Sequence, residues 1–167
     1  MSKNTLFMLI GNYGVGKSTL IDEPIISREG IFIEIRHKTF VLGNKICGAD
    51  SLSALRKESV LNVLKTTKGK NVVMTGNYYC QIKDVTELVP YYKIIIVYLQ
   101  TSFENNAERI RQRGALINIK TYNMKLKSHI SMIKQTKKYA KVYILDNNRP
   151  INDVKTDFYK IVADETN

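Results

Sequence analysis

The sequence predicts a three-layer α/β/α domain built on a five-stranded parallel sheet, and three observations support this. Short apolar, β-branched segments alternate with segments of helical pattern along the whole chain. The strand-like segments are apolar throughout, as strands covered by helices on both faces are. A length of 167 residues, with 44% hydrophobic and 25% charged residues, fits one globular domain covering residues 1–167.

The elements follow from local patterns. Strands are expected at residues 5–10, 31–36, 72–75, 93–99 and 142–145. Helices are expected from residue 17 and at about 51–67, 81–89, 102–113, 121–140 and 150–163. Pro24 should end the first helix early, because proline cannot continue a helix. Residues 39–47, with Gly43-Asn44 in their middle, predict a small β-hairpin insertion.

Charge is unevenly distributed along the chain. There are 26 Lys and Arg against 15 Asp and Glu, a formal net charge of +11. Ten basic residues and no acidic one lie between Arg109 and Lys141. A one-sided positive field attracts polyanions, so nucleic acid, a nucleotide or an acidic membrane are the candidate partners. The alternative is a lysine-rich composition that serves solubility.

Several classes of protein are disfavoured. No apolar run approaches the roughly 18 residues needed to cross a bilayer, and the amino-terminal residues lack a secretory pattern. Cys47 and Cys80 lie far apart without metal-ligand spacing, which favours neither a disulfide framework nor a zinc site. We therefore expect a cytoplasmic protein that is neither secreted nor membrane-spanning, and of the three candidate partners we expect DNA and a nucleotide rather than a membrane.

An eight-residue motif near the amino end carries the strongest functional signal. Residues 11–18 match GxxxxGK[ST] and lie between an apolar strand and a helix-compatible segment. The glycines let backbone N–H groups surround a phosphate, Lys17 adds positive charge, and the Ser18 hydroxyl can complete the shell of Mg²⁺. The motif predicts the P-loop NTPase fold with ATP and Mg²⁺ as cofactors. The expected nucleotide contacts are Asn12, Tyr13, Gly14, Val15, Gly16, Lys17, Ser18 and Thr19.

The remaining motifs favour phosphate transfer over hydrolysis. A regulatory GTPase would carry Asn-Lys-x-Asp and Asp-x-x-Gly, and neither pattern occurs. The strand at 72–75 ends at Thr75, without the acidic residue that motor ATPases use to hold metal and polarise water. The γ-phosphate is therefore expected to pass to another molecule.

At this point the chain resembles the small P-loop kinases, the group that contains adenylate, shikimate, nucleoside and polynucleotide kinases. The resemblance covers nearly the whole length and rests on the loop, on residues 99–104 and on residues 108–114, Glu-Arg-Ile-Arg-Gln-Arg-Gly. It implies an arginine-bearing lid at about 102–120. Arg109 and Arg113 are four residues apart and share a helix face, so both can close on phosphoryl oxygens and act as catalytic residues with Lys17. Arg111 points elsewhere.

Within that group, three segments are similar to phage kinases that phosphorylate the hydroxymethyl group of 5-hydroxymethyluridine in DNA. They are the loop, residues 48–53 and residues 76–79. This finer resemblance implies a DNA substrate and an infected bacterial cytoplasm. The open alternatives are a nucleoside or nucleotide kinase, a 5′-hydroxyl polynucleotide kinase, and an ATP-gated nucleic-acid-binding module. The chain is expected to be a monomer or a homodimer, and the sequence indicates no protein partner.

A kinase acting on a hydroxyl needs a carboxylate near that oxygen. Asp50 is the first candidate, since it follows the hairpin and opens the next helix, where it could equally be an N-cap. Glu34 is the second, because a carboxylate within an apolar strand should be paired, with Arg28, Arg36 or a metal.

Other residues are candidate ligand contacts. Arg56 could contact a substrate phosphate, and Asn77 and Tyr78 follow the strand that ends at the expected cleft. One of the adjacent rings of Tyr78 and Tyr79 could stack on a base while the other joins the core. In similar kinases the turn that contains Arg149 contacts the nucleotide. His37 and His129 are expected at the surface or in polar contacts.

Overall fold

The computed structural model describes residues 2–42 and 55–167, which form a mixed sheet with helices on both faces. The strands are β1 (Asn4–Gly11), β2 (Ser27–Glu29), β3 (Phe32–Arg36), β4 (Thr39–Leu42), β5 (Asn71–Thr75), β6 (Tyr92–Gln100) and β7 (Lys141–Asp146). The helices are α1 (Lys17–Leu20), α2 (Lys57–Thr66), α3 (Ile82–Leu88), α4 (Phe103–Gln112), α5 (Ile119–Thr136) and α6 (Ile151–Thr166). The sheet order is β2-β3-β4-β5-β1-β6-β7.

Five neighbouring strands of the described residues run parallel. They are β4, β5, β1, β6 and β7. Their carboxyl ends meet at one edge of the sheet, called the carboxyl edge below, which carries Gly11, Leu42, Thr75, Gln100 and Asp146. In open α/β sheets ligands bind at this edge, so the topology places the P-loop motif where a site is expected.

The core lies on both faces of the sheet. Successive residues of a strand point to opposite faces, and β1 is apolar on both. Leu6 and Met8 face a layer formed by α2, α3 and α5. Phe7 and Leu9 face a layer formed by α1 and α6. All four side chains are at most 1% exposed, and the three-layer α/β/α prediction is confirmed.

The strand predictions need one correction. Residues 31–36 do form a strand, β3, but it runs antiparallel to β4, and β2 pairs with its other side. The fifth parallel strand is β4, which the sequence assigned to a hairpin. Within the described residues the turn between β3 and β4 lies at His37 and Lys38, and Lys38 takes a φ of 56°. Residues 43–47 of the predicted hairpin lie outside the described part. Strand order depends on long-range pairing, which local patterns do not reveal.

The helices agree more closely with expectation. As Pro24 predicts, α1 is a single turn that ends at Leu20. The helix predicted from 121 begins at Ile119 and ends at Thr136. Its buried face contains His129, which is 2% exposed, so the first of the two alternatives predicted for His129, a surface position, is wrong. For the second, a polar contact, the described residues provide no hydrogen-bond partner for its Nδ1. In the described residues no helix combines the length and apolar character needed to cross a bilayer.

Glu165 ties α6 to the sheet. Its buried carboxylate accepts hydrogen bonds from Lys141 and Tyr143 and pairs with Lys93 at 2.6 Å. These partners lower the pKa of Glu165 from about 4.5 to about 2. Because the folded-state pKa is depressed, the stabilisation is present above about pH 5 and is lost as the pH falls toward 2.

We expect Glu165→Gln to lower the melting temperature at pH 7 and to flatten its decline between pH 5 and pH 2. Thermal unfolding followed by circular dichroism at a series of pH values measures both effects. Asp164→Asn, at the exposed neighbouring position, is the matched control. An acid profile identical to that of the unmodified protein would contradict the assignment.

Candidate functional site

The P-loop motif forms the turn between β1 and α1 at the carboxyl edge. Gly14 and Gly16 have φ values of +78° and +93°, in the left-handed region that favours glycine. A Cβ atom on Gly14 would lie 2.7 Å from Cγ1 of Ile110. The absence of a side chain at Gly14 thus lets α4 pack directly on the loop.

Lys17 and Ser18 follow at the start of α1. The Lys17 ammonium donates to the carbonyl oxygens of Gly11 at 2.8 Å and Asn12 at 2.9 Å. Ser18 and Thr19 are exposed. With only four residues, α1 offers a weak helix dipole, so a phosphate here would depend on loop amides and Lys17.

Three side chains hold the loop from outside. Asn106 of α4 donates to the carbonyl of Tyr13 at 2.7 Å. Asn147, which follows β7, donates to the carbonyl of Val15, and Arg109 donates to the same oxygen at 3.4 Å. Both asparagines are fully buried. These hydrogen bonds therefore fix the direction of two carbonyl groups of the loop, those of Tyr13 and Val15.

This arrangement also fixes the direction of two amides. A trans peptide is planar, with its C=O and N–H pointing to opposite sides. The carbonyl of Tyr13 shares a peptide with the N–H of Gly14, and the carbonyl of Val15 shares one with the N–H of Gly16. No residue of the described ranges accepts a hydrogen bond from either glycine amide. Both amides thus point away from the asparagines and are available to an anion.

A first cleft opens beside the loop, with a volume of about 260 Å³. Arg109 and Arg113 both line it, which confirms the prediction that they share one helix face. Burial, and secondarily Arg113, lowers the pKa of Arg109. Arg111 points away and pairs with Glu108 at 2.8 Å, as expected. The complete lining is Gly14, Val15, Gly16, Thr19, Arg109, Gln112, Arg113 and Ile151.

A second cleft of about 210 Å³ lies across the end of α4 from the first. Ile110, which packs on Gly14, forms part of its wall and so separates the two clefts. Most of the surface of the second cleft is apolar, and Thr121 and Lys125 of α5 add polar groups. Its lining is Asn12, Tyr13, Ile110, Ala115, Leu116, Ile117, Thr121 and Lys125, none of which is acidic.

His129 is a buried residue of α5, the helix that contributes Thr121 and Lys125 to the second cleft. It is 2% exposed, with its ring 5.7 Å from that of Tyr98. Burial, followed by the positive charges of Lys17 and Lys125, lowers the pKa of His129 to about 4. The imidazole is therefore neutral at pH 7. Asn12, whose carbonyl accepts a hydrogen bond from the Lys17 ammonium at 2.9 Å, lines the second cleft, so the loop lysine lies close to that cleft.

The end of β5 meets the start of the loop. The Asn77 side chain accepts a hydrogen bond from the amide of Gly11 at 3.4 Å. Tyr79 is buried, so the prediction that one of the two rings joins the core is confirmed, while Tyr78 is 51% exposed and its stacking on a base stays a prediction. The Lys57 ammonium lies 4.6 Å from the Tyr78 ring centroid. Asn77 is thus brought to the loop, and the next residue, Tyr78, carries an exposed ring that contacts Lys57 and Tyr79.

Glu34 has partners other than those expected. Its carboxylate accepts hydrogen bonds from the Ser27 hydroxyl at 2.7 Å and the Lys38 amide at 3.0 Å. These two hydrogen bonds lower its pKa. Neither Arg28 nor Arg36 takes that place.

The structure does not bring Glu34 to the loop. Through the strand register, Glu34 is level with Phe40 and with Leu6 of β1, five residues before Gly11. At about 3.3 Å per residue along the strands and 4.8 Å between them, Glu34 is roughly 20 Å from Gly11. A carboxylate at this distance cannot accept a proton from a group phosphorylated at the loop.

Three further candidates lie away from the two clefts or cannot be located. Arg149 pairs with Asp157 at 2.7 Å on the side of α6 and lines neither cleft. Arg56 is exposed at the start of α2, outside both clefts. Asp50 lies outside the described residues.

The sequence did not predict that Asn106 and Asn147 hold the carbonyl groups of the loop. Asn106 is three residues before Arg109 and four before Ile110, on the helix face that contacts the loop. Asn147 follows a strand at the carboxyl edge. A polar residue on the apolar side of a helix, or directly after a parallel strand, is the signal that could have identified each.

The donor set is compatible with Mg²⁺ that arrives with a nucleotide. No group of three His, Cys, Asp or Glu side chains that could hold a metal occurs in the part of the chain described. Ser18, exposed in the first turn of α1, provides a hydroxyl oxygen beside the loop. Mg²⁺ commonly uses few protein ligands together with phosphate oxygens, so Ser18 fits as the protein ligand.

Comparison with solved structures identifies the fold. A gluconokinase from Sinorhizobium meliloti 1021 matches with a TM-score of 0.56 and 12% identity, over 99% of this chain and 95% of its own. A deoxyadenosine kinase from M. mycoides, with the products dCMP and dCDP bound, matches with a TM-score of 0.55 and 16% identity, over 96% and 100%. A shikimate kinase from Acinetobacter baumannii, in complex with shikimate, matches with a TM-score of 0.51 and 16% identity, over 97% of this chain and 94% of its own. No protein-family model and no curated protein matches the sequence. The chain has the fold of the small P-loop kinases.

Proposed function

We propose that this protein is an ATP-dependent kinase that transfers the γ-phosphate to a hydroxyl group. The observation that carries the proposal is the loop at the carboxyl edge, in which two buried asparagines direct the amides of Gly14 and Gly16 toward an anion. Lys17 adds positive charge at the loop itself, and Arg109 and Arg113 add it in the first cleft beside the loop. The kinase fold is consistent with this chemistry.

Each cleft has a distinct role in the proposal. ATP would occupy the first cleft, which Arg109 and Arg113 line and where they could neutralise its phosphates. The acceptor enters the second cleft, because Asn12, whose carbonyl accepts a hydrogen bond from Lys17, lines that cleft and the wall there is largely apolar. Mg²⁺ held by Ser18 would neutralise phosphate charge when bound.

Transfer breaks the bond between the γ-phosphorus and the β–γ bridging oxygen and forms a bond to the acceptor oxygen. The acceptor hydroxyl loses its proton, which needs a base. We propose Asp50 for this role. It follows Leu42, the last residue of β4 at the carboxyl edge, by eight positions in the sequence.

For the acceptor we propose a hydroxyl in DNA, specifically the hydroxymethyl group of 5-hydroxymethyluridine. The net charge of +11 and the resemblance of residues 11–18, 48–53 and 76–79 to phage kinases support this choice. A free nucleoside is the second candidate, favoured by the structural similarity to a deoxyadenosine kinase. The mainly apolar second cleft suits a nucleobase in either case.

Labelled ATP with Mg²⁺ and three acceptors tests the proposal. The acceptors are DNA containing 5-hydroxymethyluridine, unmodified DNA with 5′-hydroxyl ends, and free 5-hydroxymethyldeoxyuridine. We expect label on the modified DNA, located by mass spectrometry on the hydroxymethyl oxygen and lost in Asp50→Asn. Label on the nucleoside or on 5′ ends alone would overturn the acceptor, and no label on any acceptor would overturn the kinase.

A further inference from the structure

One face of α5 carries lysines in a straight line. Lys120, Lys127 and Lys134 are seven residues apart, which on a helix returns them to nearly the same direction. Lys138, just beyond the end of α5, continues the line. All four are exposed, on the side opposite the buried residues Tyr122 and His129. These four residues are called the lysine face below.

The lysine face is not neutralised by its surroundings. None of the four lysines forms an ion pair with any residue in the ranges 2–42 and 55–167. The exposed positions between them on this face are Met124 and Ser131, which carry no charge.

The other long helix shows that composition alone does not explain this. On α6 the residues that reach solvent include three aspartates as well as lysines, namely Asp153, Lys155, Asp157, Lys160 and Asp164. If lysine served only solubility in this chain, the exposed faces of the two long helices should carry similar mixtures of acidic and basic residues. The longest stretch with basic residues and no acidic one runs instead from Arg109 to Lys141 and contains the whole of α5.

We propose that the lysine face binds the phosphate backbone of a nucleic acid. From Lys120 to Lys134 the face extends about 21 Å at 1.5 Å per residue, and a strand with a phosphate about every 3.4 Å of duplex axis offers several phosphates over that length. Lysines without internal partners bind such phosphates and release counterions. The proposal deepens the DNA acceptor of the proposed function and rests on it.

The position of α5 connects this face to the site. The amino-terminal turns of the same helix place Thr121 and Lys125 in the wall of the second cleft. Lys120, the first member of the lysine face, precedes Thr121 directly. A nucleic acid lying along α5 would therefore pass the mouth of the cleft proposed for the acceptor.

Fluorescence anisotropy of a labelled 20-base-pair duplex, and of a single strand of equal length, tests the proposal between 50 and 300 mM NaCl without ATP. The variant is Lys127→Gln/Lys134→Gln in the full chain. We expect its affinity to fall at least about tenfold at 100 mM NaCl, and the slope of log K against log salt to decrease by about two. Neither lysine lines a cleft, so transfer to a free nucleoside should not change.

The matched control is Lys68→Gln/Lys160→Gln, which removes the same charge from exposed positions on other elements. Equal losses in both variants would reduce the effect to net charge and overturn the proposal. The proposal would also be overturned if neither DNA bound while the protein bound vesicles containing phosphatidylserine, and if Lys127→Gln/Lys134→Gln weakened that vesicle binding. Transfer to a nucleoside without DNA binding would refute the lysine face and leave the kinase standing. DNA binding through the lysine face without transfer to any acceptor would support the lysine face and refute the kinase.

Discussion

Lys17→Ala is expected to lower kcat for phosphate transfer by at least about 10³-fold while leaving the fold intact. The ammonium lies against the carbonyls of Gly11 and Asn12, at the point where the γ-phosphate would be held. Removing one preorganised charge from such a site costs about 10²–10³ in rate, and a loop lysine also positions the phosphate. Steady-state transfer assays measure the loss.

The fold should survive because Lys17 is not part of the apolar core. Its side chain is partly exposed and its ammonium donates to loop carbonyls, so we expect a melting temperature within a few degrees of the unmodified protein. Lys160→Ala, on the exposed side of α6, is the control for loss of one lysine. Transfer at the normal rate by a folded Lys17→Ala protein would refute the site.

The sequence predicted the parts of this site that depend on local pattern. The loop motif fixed the position of Gly14, Gly16 and Lys17, since strand, turn and helix follow each other directly. The four-residue spacing of Arg109 and Arg113 placed both in one cleft, because that spacing is one helical turn.

The parts that failed depend on contacts distant in sequence. Glu34 looked like a buried functional carboxylate because its neighbours are apolar. Its strand, however, lies antiparallel and three strands from β1, and this order is set by pairing with β4. His129 was expected at the surface or in polar contacts because the sequence shows no partner pattern for it, whereas it lies buried beside the ring of Tyr98. Neither pairing nor packing could be predicted from a local pattern.

Asn147→Ala is expected to reduce affinity for ATP by about 10- to 100-fold, although Asn147 need not touch the nucleotide. The side chain holds the carbonyl of Val15, and the same peptide plane aims the amide of Gly16. Without this hydrogen bond the carbonyl keeps, within the described residues, only the long 3.4 Å hydrogen bond from Arg109, so the peptide can rotate more easily. An amide that no longer faces the phosphate loses a charge-assisted hydrogen bond of about 1.5–3 kcal/mol.

Asn148→Ala provides a matched control in the same turn. The Asn148 side chain accepts hydrogen bonds from Ser102 and Asn105 and does not contact the loop. It should leave ATP affinity within about twofold, since no loop carbonyl depends on it.

Inorganic tripolyphosphate separates loop geometry from other contacts, because it carries the phosphates without base or ribose. If Asn147 acts through the amide of Gly16, Asn147→Ala weakens binding of tripolyphosphate and ATP by a similar factor, measured by calorimetry well below the melting temperature. General destabilisation would lower the melting temperature without a matched loss for the two ligands. Weaker ATP binding with unchanged tripolyphosphate binding would instead place Asn147 at the base or ribose and remove it from the control of the loop.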